Sequence, residues 1–168
     1  TIQLGTSMCY PISSFGAHVA ARPRTSLKTR GNVAMCGTFG YELDPRKLTD
    51  DEKAEVKQQI ADYRKYHRLV REGDFYRLVS PTENDFYCAW EFVSPDKQEA
   101  MMTAVVMRQP ETRYCVQRLR GLDPKTYYQD EETGTVYSGA MLMNAGLNLT
   151  RDVYEDGTSV TKHFKAVK

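Results

Sequence analysis

The stretch Arg30-Gly31-Asn32-Val33-Ala34-Met35-Cys36-Gly37-Thr38-Phe39-Gly40-Tyr41-Glu42-Leu43-Asp44-Pro45 decides how this chain is read. Gly31, Gly37 and Gly40 interrupt a run that is otherwise apolar, aromatic and compatible with β-structure. The spacing reads as a helix end, a tight turn and a strand at 37–43 where backbones approach closely. A helix follows at once, giving the order strand, short loop, helix. That order is the unit of an α/β barrel or doubly wound sheet, in which sites gather at the carboxyl ends of the strands.

The following helix, over 48–72, carries its own signals. Thr49 stands as N-cap with Glu52 three residues on, a capping-box pattern, and Asp50, Asp51 and Glu52 suit the positive end of the helix dipole. Val56, Ile60, Tyr63, His67 and Val70 recur at steps of three and four as one apolar stripe. Arg68 and Arg71 suit the last turn, and Gly73 is placed as a C′ residue. From Gly73 onward the period shortens to that of strands, expected at 74–79, 85–93, 100–108, 115–122, 126–129, 135–138, 147–154 and 159–166. Ser80-Pro81, Ser94-Pro95-Asp96, Gln109-Pro110 and Glu132-Thr133-Gly134 punctuate them, and Asp156-Gly157 reads as a hairpin turn between the last two. Many short strands at this spacing predict an antiparallel sandwich.

Upstream of the quoted stretch, the first residues read as the tail of a helix, broken by Tyr10-Pro11 and Ser13-Ser14. The run 15–20 is compact and apolar, as a buried parallel strand would be. Arg22-Pro23-Arg24 ends it, and Thr25 or Ser26 opens a short helix carrying Leu27, Arg30 and Val33. One strand–helix pair with a single strand before it cannot close a parallel sheet.

Composition narrows the function classes. The 168 residues hold 23 Lys and Arg against 22 Asp and Glu, so no strong field favours nucleic acid or an anionic membrane. No apolar run reaches the length of a membrane span. The cysteines at 9, 36, 88 and 115 form no C-x-x-C pair and have no histidine at ligand spacing, which favours buried, reduced thiols and a cytoplasmic setting. No metal or other cofactor is expected.

Thr6-Ser7, Tyr10-Pro11, Ser13-Ser14-Phe15-Gly16-Ala17-His18-Val19, Thr29 to Met35 and Gly37 to Asp44 resemble bacterial α-galactosidases of glycoside hydrolase family 36. The resemblance continues through the helix, Gly73-Asp74-Phe75-Tyr76-Arg77-Leu78, Gly121-Leu122-Asp123-Pro124 and Tyr137 to Leu147. Cys36 departs from the serine or alanine usual at its position. The resemblance implies an α+β fragment: residues 1–72 as the last strands and final helix of a (β/α)8 catalytic barrel, and 73–168 as a C-terminal antiparallel β-sandwich. It implies a parent enzyme, expected to be a homo-oligomer, that hydrolyses terminal α-galactosides of the melibiose and raffinose type with retention. The aspartate nucleophile and aspartate acid/base of that chemistry would both lie upstream of this chain, whose isolated form is expected to be inactive.

Within the chain, side chains at strand ends are the candidates for lining a pocket. His18 and Arg22 belong to the run entering the barrel wall, and Tyr41 offers an aromatic face to a sugar. The bland readings are a hydrogen-bonded core histidine for His18 and a core aromatic for Tyr41. Asp44, at a strand-to-helix junction, reads as a loop or capping residue, and Asp50, Asp51 and Glu52 as helix-end charges. His67 and His163 have no metal partners, and Trp90 reads as sandwich core. A competing reading takes the β-rich half alone as a carbohydrate-binding or interaction module, supported by Tyr127, Tyr128 and Tyr137; an outward row of aromatics would favour it.

Overall fold

The computed structural model describes residues 2–14, 16–21, 25–83, 86–109, 115–153 and 155–167. The chain is α+β. Helix α1 (Ile2–Thr6) leads through a 3-10 turn at Ile12–Ser14 into strand β1 (Gly16–Ala20), helix α2 (Leu27–Ala34) and strand β2 (Thr38–Glu42), which pairs parallel with β1. After a second 3-10 turn at Pro45–Lys47 comes the long helix α3 (Asp50–Glu72). The rest is β3 (Asp74–Val79), β4 (Tyr87–Val93), β5 (Glu99–Val106), β6 (Val116–Gln117), β7 (Tyr127–Asp130), β8 (Val136–Ser138), α4 (Gly139–Asn144), β9 (Leu147–Asn148) and β10 (Ser159–Val167). Six strands form one antiparallel sheet in the order β3-β4-β5-β10-β7-β8, and β6 pairs antiparallel with β9.

Local signals set the helix ends. Ser26 caps α2, its hydroxyl accepting from the Thr29 N–H at 3.1 Å. Thr49 accepts from the Glu52 N–H at 3.2 Å while the Glu52 carboxylate accepts from the Thr49 N–H at 2.9 Å, so the capping box is complete. Gly73 caps α3 with φ −75°, not in the left-handed region a C′ glycine usually occupies. It is needed for space instead, since a Cβ there would meet the Leu69 carbonyl oxygen at 2.4 Å.

The central strands are buried on both faces, and the period of two sorts their side chains. Ala89 and Val93 of β4, Ala100, Met102 and Ala104 of β5 and Phe164 of β10 share a core with Leu119, Leu122, Leu142, Leu147 and Leu149. Cys88, Trp90, Phe92 and Met101 point the other way, into a core with Leu4, Ile12, Val19, Leu27, Leu69 and Val70. The N-terminal segment is thus packed on one face of the sheet. Polar ties reinforce it. Arg77 donates to the Ser7 hydroxyl and carbonyl, and Ser159 links α2 to β10 by accepting from Asn32 and donating to Thr29, both at 2.9 Å.

Where α3 lies over β10, charge replaces hydrocarbon. His163 Nε2 is 2.6 Å from Glu99 and its Nδ1 is 2.8 Å from Glu131, while Lys65 and Lys165 reach Glu131 at 2.5 and 2.7 Å. The Tyr66 ring lies on His163 with centroids 4.3 Å apart. Burial opposes the Glu131 charge, but hydrogen bonds from Lys165 and Lys65 outweigh it and bring the carboxyl down to about 2.

Several expectations need correction. Gly31 is not a helix end but lies inside α2, where a Cβ would be 2.4 Å from the Gln59 side chain. The inward stripe of α3 includes Gln59, which is buried, and excludes His67, which is exposed. Gln59 is accommodated because its amide donates to the Leu27 carbonyl at 3.1 Å and accepts from the Tyr41 hydroxyl at 2.9 Å. The strands expected at 115–122 and 147–154 shrink to two residues each. Side chains end the ladder there: Thr150 accepts from the Cys115 N–H and Asn148 from the Thr150 N–H. The Asp156-Gly157 turn forms, with Gly157 at φ 74°, but it returns the chain to β5, the Gly157 N–H donating to Val106 at 3.0 Å. Helix α4 has no counterpart in the strand pattern read there. Cys9 is exposed, unlike the buried thiols of Cys36 and Cys88.

Glu91 lies fully buried on β4 among the first core, one oxygen accepting from the Arg120 N–H at 2.9 Å and the other meeting no donor among the described residues. Burial pushes its carboxyl up to about 8. A raised acid binds its proton more tightly folded than unfolded, so its contribution to stability falls as pH rises from about 4.5 to about 8, by at most about 1.4 kcal/mol per pH unit. Melting curves across that window should flatten in Glu91→Gln relative to the parent chain. Gly31→Ala should lower stability by roughly 1–3 kcal/mol, since the bonded Gln59 amide cannot retreat; urea titration measures it.

Candidate functional site

The parallel pair β1–β2 is in register from Gly16↔Thr38 to Ala20↔Glu42. Its two faces differ in kind. Ala17, Val19, Phe39 and Tyr41 face the helices, with Phe39 stacked on Tyr63 of α3 at 5.0 Å and edge-on to Tyr41 at 5.2 Å. Tyr41 is committed there through its bond to Gln59, and burial, helped by the Glu55 charge, pushes its phenol up to about 12. The opposite face, with Gly16, His18, Thr38, Gly40 and Glu42, is not covered by either helix.

On that face His18 Nδ1 stands 2.9 Å from Glu42 Oε1, with side chains 44% and 65% exposed. The imidazole rests on two glycines. A Cβ at Gly40 would come within 2.9 Å of His18 Cδ2, and one at Gly16 within 3.3 Å of Cε1. Glu42 ends β2, its carbonyl accepting from the Ala21 N–H at 3.2 Å, while Arg30 of α2 donates to the Ala20 carbonyl and ties down the end of β1. The site is therefore an imidazole–carboxylate pair held at the carboxyl ends of two parallel strands. Because a carboxylate only accepts, the Nδ1 atom carries the proton between them.

Of the three residues expected to line a pocket, His18 lies on the open face and Tyr41 on the helix face, so the two are not brought together. Arg22 lies outside the described residues. Asp44 accepts from the Arg46 N–H at 3.0 Å and pairs with its guanidinium at 2.9 Å, contacts that hold its carboxyl below the usual range. Asp50 pairs with Lys53 at 2.9 Å and Glu52 closes the capping box. Glu42 was not singled out by sequence reasoning. Its signal was the two-residue step His18, Gly40, Glu42 across a parallel register, visible only once the strands are aligned.

Two other features bear on chemistry. A cavity of about 60 Å³ between α1, α2 and the sheet is lined by Leu4, Ile12, Val33, Trp90, Cys36 and Cys88, far below the size of a small-molecule pocket. Burial pushes the Cys36 thiol up to about 12, which removes it as a nucleophile at neutral pH. No group of three or more His, Cys, Asp or Glu fit to hold a metal ion occurs among the described residues, and no helix there is long and apolar enough to cross a membrane.

Two family models cover the chain in order: Melibiase over residues 1–73, then the glycosyl hydrolase family 36 C-terminal domain over residues 87–164. The chain belongs to glycoside hydrolase family 36. The α-galactosidase AgaA of Geobacillus stearothermophilus is 50% identical over 155 residues, taking in 88% of this family 36 chain and 21% of AgaA. The bifunctional α-galactosidase/sucrose kinase AgaSK of Mediterraneibacter gnavus is 44% identical over 155 residues, 88% of this chain and 16% of AgaSK. The solved galactosidase domain of AgaSK superposes with a TM-score of 0.92 at 42% identity, over 99% of this chain and 24% of that one. A variant of AgaA solved with raffinose gives 0.91 at 46% identity, again over 99% and 24%. The family 36 chain thus spans about a fifth of the length of these two curated relatives.

The two faces of β1–β2 predict opposite responses to substitution. Tyr41→Phe strands the Gln59 carbonyl oxygen and should cost on the order of 1–2 kcal/mol. His18→Ala, on an open face, should change stability by no more than about 0.5 kcal/mol. Urea titration of both variants, followed by circular dichroism, checks the contrast.

Proposed function

We propose that this chain is the closing part of the catalytic barrel, residues 1–72, and the C-terminal β-sandwich, residues 73–168, of a retaining α-galactosidase. The order of the two family matches, one ending at 73 and the next starting at 87, carries the proposal. The physics of β1–β2 supports it: parallel strands are normally covered on both faces and flanked by further strands, whereas here helices cover one face only. The open face would then line the barrel interior, with His18 near the pocket and Tyr41 backing the wall through Gln59.

In this reading the chain supplies framework and pocket lining, and the paired aspartates of the retaining reaction come from elsewhere in the enzyme. The carboxylates at Asp44, Asp50 and Glu52 support this, since each is occupied at a helix end or in an ion pair. Raffinose-type α-galactosides are proposed as substrates on the strength of AgaA variants solved with raffinose and with stachyose. Four free cysteines fit a reducing, cytoplasmic setting. The alternative of a free-standing sugar-binding sheet is weakened by Trp90 and Phe92, which are 4% and 0% exposed against the N-terminal segment.

The isolated chain should show no turnover of p-nitrophenyl α-galactoside, while the full-length enzyme that contains it should hydrolyse the same substrate. Turnover by the pure chain, abolished in Asp44→Asn but not in Glu52→Gln, would refute the placement of the catalytic groups. Ile2, Met8 and Tyr10 are exposed large apolar side chains, and with the outer edges of β1 and β2, which pair with no other strand among the described residues, they should make the isolated chain self-associate. Light scattering that reports a monomer at high concentration would contradict that.

A further inference from the structure

We infer that Glu42 is a sugar-contacting carboxylate of the enzyme and that His18 is its positioning partner. The inference rests on the reading of this chain as part of an α-galactosidase and adds a residue to the substrate side of the site. Glu42 sits at the carboxyl end of β2 on the face the helices leave open, with its side chain 65% exposed. Its Oε1 accepts a hydrogen bond from the His18 Nδ1–H at 2.9 Å. Its Oε2 has no protein partner among the described residues and keeps its lone pairs for hydroxyl donors. A carboxylate accepting from sugar hydroxyls makes the charge-assisted kind of hydrogen bond, which is short and strong.

The support around the pair is more elaborate than stability requires. A polar side-chain pair this exposed contributes little to folding. Yet two strand positions, Gly16 and Gly40, are kept free of side chains directly under the imidazole, at the expense of β-propensity. The ring so seated fixes the direction of Nδ1, and Nδ1 fixes the carboxylate. The backbone of Glu42 is pinned as well, through its carbonyl bond to the Ala21 N–H. Asp44, two residues on, has the same charge but is spent on Arg46. Among the described residues, Glu42 is the carboxylate at this end of the strand pair that is both oriented and available.

The test uses the full-length enzyme with raffinose as substrate. Glu42→Ala should raise KM about tenfold or more, as expected for loss of one charge-assisted hydrogen bond, with kcat and melting temperature near those of the parent. Glu42→Gln, which keeps shape and loses charge, should raise KM less. Gly40→Ala should push the imidazole off its seat and raise KM while Glu42 itself is intact, which a merely structural carboxylate would not do. Parent-like KM in Glu42→Ala and Glu42→Gln, in an enzyme that hydrolyses raffinose, would overturn this inference alone. An unsubstituted enzyme without α-galactosidase activity would overturn the reading beneath it and the inference together.

Discussion

Alternation along β4 is the constraint from which the rest of the structure follows. Cys88, Trp90 and Phe92 point to one side and Ala89, Glu91 and Val93 to the other, so the strand must be covered twice. One cover is the irregular layer of Leu119, Leu122, Leu142 and Leu149. The other is the N-terminal segment, which reaches the sheet through Leu4, Leu27 and Val70. Fastening α2 and α3 to this sheet gives β1 and β2 a fixed backing on their helix side. Their remaining face is thereby set in one orientation, with His18 and Glu42 on it. The position of the proposed sugar contact is a consequence of how a strand more than forty residues downstream is packed.

What could be read from the sequence was what neighbouring residues decide. The capping box at Thr49 and Glu52, the Ser26 cap, strand β3 at 74–79 and the parallel pair around Gly40 all rest on local chemistry or on a run of one period. What escaped depends on contacts across the chain. Gln59 interrupts an apolar stripe, and only its bonds to Leu27 and Tyr41 make it a core residue. Strands β6 and β9 are cut short by Thr150 and Asn148, whose side chains compete with the ladder. The Asp156-Gly157 turn was visible, but the partner to which it delivers β10 was not. At the site, His18 was legible as a residue type and Glu42 was not, because the two meet through a register that no single strand encodes.

The family context and the geometry bear on different questions. Membership of glycoside hydrolase family 36 speaks to the enzyme as a whole, of which about a fifth of the relatives' length is seen here. The geometry speaks to the division of labour inside that portion. Burial has silenced its most enclosed thiol, at Cys36, and helix ends or ion pairs have occupied Asp44, Asp50 and Glu52. Apart from those, one imidazole–carboxylate pair stands at the mouth of two strands, on a seat of glycine.

Gly31, Gln59 and Tyr41 carry an implication for descent. The amide fills the space a side chain at 31 would need, and the phenol is bonded to that amide. A lineage that enlarged residue 31 would have to shrink residue 59, and the tyrosine would then be left with its longer bond to the Val56 carbonyl, at 3.4 Å. Substitutions at 31, 41 and 59 should therefore be coupled rather than additive in their effect on stability.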